Sequence, residues 1–150
     1  MNHWLIKSEP DEFSIDKLAK VKREPWSGVR NYQARNYMRD GMQLGDAIFF
    51  YHSNCPVPGI VGICNVAKLA YPDPTQFDAK SDYFDPGSKR EAPRWLCVDV
   101  GFGRKLARVI TLDELKTMDG LDDFALTRRG NRLSVLPVSS AQWKKILSVE

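Results

Sequence analysis

The chain has 150 residues, of which 43% are hydrophobic and 27% charged, and its formal net charge at pH 7 is +3. This length and composition suit one folded globular domain with a single good core and exclude a disordered or repetitive chain. No apolar run approaches the roughly 18 residues that a membrane span requires, and the opening residues lack the basic and apolar regions of a secretion signal. We therefore expect one domain over residues 1–150, located in the cytoplasm.

The first third of the chain predicts a short strand and two helices. Residues 4–7 form an apolar opening strand that Pro10 ends, and Ser14 is placed to cap a helix with Ile15, Leu18 and Ala19 on one face. Residues 25–30 indicate a loop. Residues 31–39 predict a second helix, which Gly41 would close in a left-handed conformation.

The middle of the chain is typical of buried strands. Residues 47–51 and 59–66 are continuous apolar runs rich in β-branched and aromatic residues, and residues 95–102 resume this pattern. Between them, four prolines within residues 72–93 predict a long irregular loop. Loops of this length in a folded domain are often functional.

Two capping boxes organise the last third. Thr111 with Glu114 predicts the start of a third helix, and Ser139 with Gln142 predicts a final helix that directs Trp143 inward. Residues 133–136 indicate a last strand. Strands outnumber helices without alternating regularly with them, which favours an α+β fold with a mixed or antiparallel sheet curled into a small barrel.

The side chains that could perform catalysis or hold a cofactor are sparse. The only histidines are His3 and His52, and neither has acidic neighbours at the spacing of a metal site. Phosphate-loop and dinucleotide-binding glycine motifs are absent. Three cysteines without a C-x-x-C pair indicate reduced thiols rather than disulfides or a zinc site. We expect no cofactor, no metal and no enzymatic activity.

Basic residues are concentrated in two parts of the chain. Six lysines and arginines lie within residues 20–39, and Arg128, Arg129 and Arg132 form a second cluster, whereas residues 113–123 are mainly acidic. A phosphate-bearing ligand would prefer the basic side. Polar and aromatic residues at predicted strand ends and in loops supply what base recognition needs, since aromatic rings stack on bases and Asn, Ser and backbone groups bond to base edges. Trp26, in a loop beside Gly28, suits packing and stacking equally.

Four sequence blocks in order resemble the EVE domain family. They are residues 4–10 (WLIKSEP), 28–36 (GVRNYQARN), 50–54 (FYHSN) and 71–74 (YPDP). Residues 93–100 and 128–135 extend the resemblance over essentially the whole chain, which looks like a stand-alone member of bacterial type. Two positions depart from the family pattern: Ser27 stands where an acidic residue is more frequent, and Leu136 where glutamine is common. These departures bear on base preference more than on the fold.

The resemblance implies a PUA-like mixed-sheet pseudobarrel with flanking helices that recognises a modified base in DNA or RNA. The base would be flipped into a pocket. The ligand-binding positions carried over from the family are Lys7, Ser8, Trp26, Gly28, Val29, Arg30, Asn31, Ser53, Asn54, Trp95 and Ser134, and the positions expected to contact phosphates are Arg30, Arg35 and Arg132. We expect a monomer whose partner is nucleic acid.

Two other functions are compatible with the same residues. An enzyme acting on RNA or a nucleotide would use Glu9 or Asp99 as its base. A sensor of free nucleosides or other planar metabolites would use the pocket alone. Steep salt dependence of binding to oligonucleotides would separate a reader of the polymer from such a sensor, because only phosphate contacts release counterions.

Overall fold

A six-stranded sheet organises residues 1–150, all of which are described by the computed structural model. The strands are β1 (His3–Ser8), β2 (Arg23–Pro25), β3 (Ala47–His52), β4 (Gly59–Pro72), β5 (Leu96–Thr111) and β6 (Val135–Val138). The α-helices are α1 (Ile15–Val21), α2 (Tyr32–Asn36), α3 (Leu112–Thr117) and α4 (Ser140–Leu147). The longest helix has eight residues, and none is long and apolar enough to cross a membrane.

The strand order is β2-β5-β4-β3-β1-β6. β1 and β3 are parallel and every other neighbouring pair is antiparallel, so the sheet is mixed, as predicted. The edge strands β2 and β6 do not pair, so the sheet is open and not a closed barrel. β4 and β5 shift register four times along their length, and such bulges bend and twist a long pair of strands.

Both faces of the sheet are buried, which explains why its strands are continuously apolar. Side chains alternate between faces along each strand. In β1, Trp4 and Ile6 join one core while Leu5 joins the other, and in β3 the neighbours Phe49 and Phe50 divide in the same way. Helices α1 and α2 cover the first core, and α3 and α4 cover the second.

Local signals placed the helix starts correctly. The Ser14 and Asn31 side chains cap α1 and α2, and both predicted capping boxes are formed, at Thr111 for α3 and at Ser139 for α4. The Trp143 ring stacks against Phe49 with centroids 3.8 Å apart, so it points inward as predicted. The helix caps depend on hydrogen bonds between residues close in sequence, so they can be recognised from the sequence alone.

The predicted end of the second helix was wrong. α2 ends at Asn36 and continues as one π-helical turn over Tyr37–Gly41, and Gly41 does not adopt a positive φ. Gly41 is needed for another reason, because a Cβ there would lie 2.6 Å from the Trp4 ring. The glycine therefore permits close packing against β1 instead of a left-handed cap.

Several strand bounds also differ from the prediction. β2 was missed. Residues 25–30 indicated only a loop, and a strand of three residues is too short to show an alternation of apolar and polar side chains. β4 and β5 extend well beyond residues 66 and 102, and the last strand begins at Val135 rather than at residue 133. The extra length of β4 and β5 comes from their mutual pairing, which polar residues such as Lys68 and Lys105 also join.

Candidate functional site

Three strand ends meet at one edge of the sheet. Because β1 and β3 are parallel, their carboxyl ends lie side by side, and the antiparallel β6 brings the residue before it to the same place. The Lys7 N–H donates to the Ser134 carbonyl at 3.0 Å, and the Ser53 N–H donates to the Ser8 carbonyl at 3.0 Å. Residues from three distant parts of the sequence are thereby fixed as neighbours.

These strand ends form part of a cleft of about 510 Å³. The other walls come from the segment before α1, from β2 and the loop that follows it, from the loop after β4 and from the segment before β6. The lining residues are Lys7, Ser8, Glu9, Glu12, Phe13, Glu24, Pro25, Trp26, Ser27, Gly28, Val29, Ser53, Tyr83, Arg132 and Ser134. The lining is mainly polar and charged, with a few aromatic and apolar residues among them.

Trp26 and Tyr83, two aromatic residues of the cleft, differ in how far they are exposed. Trp26 is 9% exposed, and its ring makes edge contacts with Phe13 and Phe50 at centroid distances of 6.0 and 5.6 Å. Its backbone N–H donates to the Val98 carbonyl at 2.7 Å. Trp26 is thus a packed wall of the cleft. Tyr83 is 40% exposed and offers a ring to an incoming ligand.

Gly28 lies directly against the Tyr83 ring. Its φ is +87°, a conformation that glycine adopts without strain. A Cβ at this position would lie 2.8 Å from the ring carbons of Tyr83. Glycine is therefore required twice at residue 28, for the backbone turn and for the close approach of Tyr83.

Asp73 anchors the loop that carries Gly28. Its buried carboxylate accepts hydrogen bonds from the Gly28 N–H at 2.8 Å and from the Thr75 N–H at 2.8 Å. It also forms an ion pair with Arg30 at 3.1 Å. Burial raises the pKa of Asp73, but the hydrogen bonds from Thr75, Gly28 and Arg30 outweigh burial and hold the pKa below its ordinary value. Asp73 is thus a charged anchor at neutral pH.

Arg30 has no N–H left for a ligand. Its Nε donates to the Tyr83 carbonyl, its Nη1 to the Val29 carbonyl and to Asp73, and its Nη2 to Thr75 and to the Tyr83 carbonyl. A guanidinium group has five N–H donors, and these five bonds use all of them. Arg30 therefore ties the Tyr83 loop to Asp73, and this differs from its predicted role as a phosphate contact.

Ionisable groups of both signs face the cleft. Burial lowers the pKa of Lys7, whose ammonium forms no ion pair. Burial raises the pKa of Glu24; Lys17 lowers it, and Asp99 raises it further. Glu9 accepts a hydrogen bond from Asn54 at 2.6 Å. The cleft thus offers a partly desolvated donor, Lys7, and a partly desolvated acceptor, Glu24. Neither forms an ion pair within the protein.

The structure brings together most of the site residues predicted from the sequence. Seven of them line the cleft: Lys7, Ser8, Trp26, Gly28, Val29, Ser53 and Ser134, and the predicted phosphate contact Arg132 lies there also. Four side chains among the remaining predicted residues are engaged elsewhere. Asn31 caps α2, Asn54 bonds to Glu9, Arg35 donates to the Arg94 carbonyl at 2.9 Å, and Trp95 is buried against Tyr32 with centroids 4.9 Å apart. Arg30, as described above, is the fifth predicted residue that does not line the cleft.

Sequence reasoning missed several residues of the cleft. Glu24 and Pro25 belong to β2, whose place is decided by pairing with Val100 and Asp99 of β5. Phe13 had a local signal, since an apolar residue just before a helix cap often packs against the fourth residue of the helix that follows. Glu12 had none.

The mixed, open six-stranded sheet with its four helices matches the PUA-like fold of the solved relatives. The chain belongs to the EVE domain family, whose model matches residues 2–149. The family and fold class predicted from the sequence blocks are thereby confirmed.

The chain is similar over nearly its whole length to proteins from animals, fungi and bacteria. Thymocyte nuclear protein 1 of Mus musculus is 45% identical, with 99% of this chain and 74% of that protein covered. The human THYN1 protein, solved in complex with 5-methylcytosine-containing DNA, is 42% identical with a TM-score of 0.94, covering 99% of this chain and 97% of that one. A crystal structure of a Pseudomonas syringae protein is 48% identical with a TM-score of 0.95, covering 98% of both chains. Because solved relatives come from bacteria and eukaryotes alike, the predicted bacterial type stays a prediction.

Proposed function

We propose that this chain is a nucleic-acid-binding module that holds one modified cytosine in the cleft. The observation that carries the proposal is the cleft at the strand ends, in a chain 42% identical to a human protein solved with 5-methylcytosine-containing DNA. A base inside a duplex is inaccessible to such a cleft, so the target nucleotide has to be flipped out of the stack. The following contacts support this assignment.

The size and aromatic surface of the cleft suit a single nucleoside. Its volume of about 510 Å³ lies within the usual range of small-ligand sites. Tyr83 presents an exposed ring against which a base can stack, while the packed Trp26 limits the depth of the cleft. Phe13 and Val29 add the apolar surface that a C5 methyl group requires.

The polar groups of the cleft match the hydrogen-bonding edge of cytosine. Cytosine presents an exocyclic amine as a donor and ring nitrogen and carbonyl oxygen as acceptors. The Glu24 carboxylate can accept from the amine, and the Lys7 ammonium and the hydroxyl groups of Ser53 and Ser134 can donate to the acceptors. Thymine presents a carbonyl in place of the amine and would face the carboxylate unfavourably.

We propose binding rather than catalysis at this site. Asp99, one of the two candidate bases in the sequence, is held by the Arg23 guanidinium at 3.1 Å and by the Tyr71 hydroxyl, and it does not line the cleft. Glu9 lines the cleft but already accepts the Asn54 amide. A mass-spectrometric search for altered base or strand cleavage after incubation with 5-methylcytosine duplex should find unchanged DNA.

The proposal is tested by titrating the protein with 12-base-pair duplexes that differ only at one central base pair: cytosine–guanine, 5-methylcytosine–guanine or thymine–adenine, so that no duplex carries a mismatch that would flip more easily. We expect the 5-methylcytosine duplex to bind most tightly. Tyr83→Ala should weaken its binding by about 1 to 3 kcal/mol, the usual effect of removing one stacked aromatic ring.

The matched control is Phe84→Ala, since Phe84 is the adjacent aromatic residue, is 41% exposed and does not line the cleft. Its affinity for the duplex should equal that of the unchanged protein. Equal affinity for all three duplexes would overturn the proposal, and equal losses in the two variants would remove Tyr83 from the site.

The cytoplasmic location and the monomeric state remain part of the proposal. Several relatives carry the name thymocyte nuclear protein 1, so cell fractionation is the direct check of location. Light scattering on the purified chain measures its oligomeric state.

A further inference from the structure

The arginines of residues 128–132 differ from every other arginine in the protein. Of the eleven arginines in the sequence, six form ion pairs with carboxylates: Arg23, Arg30, Arg39, Arg94, Arg104 and Arg108. Arg35 donates to the Arg94 carbonyl, and Arg90 lies over the Phe77 ring. Arg128, Arg129 and Arg132 are exposed and have no ion pair, side-chain hydrogen bond or aromatic contact.

The backbone of this arginine segment, residues 128–132, is nevertheless held in place. The Asn131 Nδ2 donates to the Ala125 carbonyl at 2.7 Å, and its Oδ1 accepts from the Leu133 N–H at 2.9 Å. Gly130 supplies a turn with φ of +80°. A fixed backbone that presents free guanidinium groups is suited to phosphates, which arginine binds through two parallel hydrogen bonds.

The arginine segment stands between two depressions in the surface. Arg132 lines the cleft described above, whereas Arg128 and Asn131 line a second depression of about 400 Å³. The residues that line this second depression also include Gln33 and Tyr37, whose side chains are joined by a hydrogen bond of 3.1 Å. Its walls therefore offer amide groups and an aromatic ring.

We infer that a nucleic-acid strand with its base in the cleft crosses the arginine segment, which binds its phosphates, and that an adjacent nucleotide lies in the second depression. This inference rests on the proposed function of the cleft. Neighbouring phosphates along a strand are spaced by one nucleotide, and three arginines within five residues can follow them. Base recognition in the cleft and backbone binding on the segment are then separate contributions to affinity.

The negative charge of Asp123 allows a separate test of whether a strand lies in the second depression. Its carboxylate lines the second depression and accepts only a long hydrogen bond of 3.4 Å, from Gln142. A carboxylate so close to a bound strand repels its phosphates. Asp123→Asn should therefore strengthen duplex binding, most clearly at low salt.

The test compares two double variants that change the net charge equally. In the first, Arg128→Gln and Arg129→Gln remove two free guanidinium groups. In the second, Arg104→Gln and Arg108→Gln remove two arginines that are paired with Glu150 and Glu114. The probes are a 12-base-pair duplex with one 5-methylcytosine, titrated over a range of salt concentrations, and the free nucleoside 5-methyl-2′-deoxycytidine.

For the first variant we expect the slope of log affinity against log salt to become shallower by about 0.9 for each arginine lost, with nucleoside affinity unchanged. The second variant should leave the slope nearly unaltered. Equal slopes in the two variants, or a first variant that also loses the nucleoside, would overturn the inference. A chain without preference for 5-methylcytosine but with the expected slopes would instead refute the proposed function alone.

Discussion

The Asp73 carboxylate accepts the Gly28 N–H at 2.8 Å across a separation of 45 residues. The same carboxylate pairs with Arg30, which holds the Tyr83 carbonyl with two N–H groups. The loop after β4 thus sets the position of the loop after β2 and of the exposed ring at the mouth of the cleft. A buried residue that does not line the cleft therefore shapes it.

Replacing Asp73 should damage both stability and binding. Asp73→Asn removes the charge that faces Arg30 and leaves buried N–H donors without a carboxylate acceptor. We expect the free energy of unfolding to fall by roughly 2 to 4 kcal/mol, as for other buried pairs that lose one partner. Urea unfolding measures this loss, and titration with the 5-methylcytosine duplex should show weaker binding. The control Asp40→Asn removes the exposed partner of Arg39 and should leave both quantities unchanged.

Two glycines with nearly equal φ angles allow the strain of a positive φ to be measured apart from the contact with Tyr83. Gly28 and Gly120 have φ values of +87° and +86°, but only Gly28 has the Tyr83 ring where a Cβ would lie. Alanine at either position should cost about 1 to 2 kcal/mol of stability, because L-residues are strained at positive φ. Gly28→Ala should also displace Tyr83 and weaken duplex binding, whereas Gly120→Ala should bind normally. Normal binding by Gly28→Ala would show that the position of the ring is unimportant.

Glu24 should set the discrimination between cytosine and thymine. In Glu24→Gln the amide can turn its NH₂ group toward a ligand carbonyl, so the repulsion of thymine is lost. We expect the ratio of affinities for 5-methylcytosine and thymine duplexes to fall by about tenfold, which corresponds to one hydrogen bond. The control Glu12→Gln removes the same charge from the same cleft and should keep the ratio. A smaller ratio in the control than in Glu24→Gln would assign the reading of the amine to Glu12.

His52 should make stability depend on pH. Its Nε2 accepts the Ile15 N–H at 3.1 Å at the start of α1, and burial lowers its pKa below the ordinary value of 6.5. The unfolded chain then binds a proton more readily than the folded one, so this contribution is fully present above pH 6.5 and is lost as pH falls from there through the lower pKa of the folded state. The midpoint of thermal unfolding should decrease between pH 7.5 and 5.5.

Histidine substitutions identify the source of that decrease. His52→Gln keeps an acceptor for the Ile15 N–H and should flatten the dependence on pH. His3→Gln should reduce the dependence of stability on pH less. Burial also lowers the pKa of His3, but unlike His52 this residue accepts no hydrogen bond from the backbone at the start of a helix. An unaltered pH dependence in His52→Gln would assign the effect to other groups.

Local sequence determined the helix starts and the character of the main strands. Ser14, Thr111 and Ser139 bond to backbone groups three residues away, and these bonds form wherever such sequences begin a helix. The apolar runs of β3 and β4 required burial on both faces. The EVE blocks then indicated the family, and with it eight residues of the cleft.

Tertiary structure alone decided how those parts meet and which groups remain free. β2 is a strand only because it pairs with β5, which brings Glu24 into the cleft. In the sequence, Arg30 and Arg132 are both basic residues in loops. All five N–H groups of the Arg30 side chain form hydrogen bonds within the protein, whereas those of Arg132 form none. Apart from the adjacent Val29 carbonyl, the partners of Arg30 lie 43 to 53 residues away, at Asp73, Thr75 and Tyr83. Hydrogen-bond saturation depends on such distant acceptors, and no local pattern encodes them.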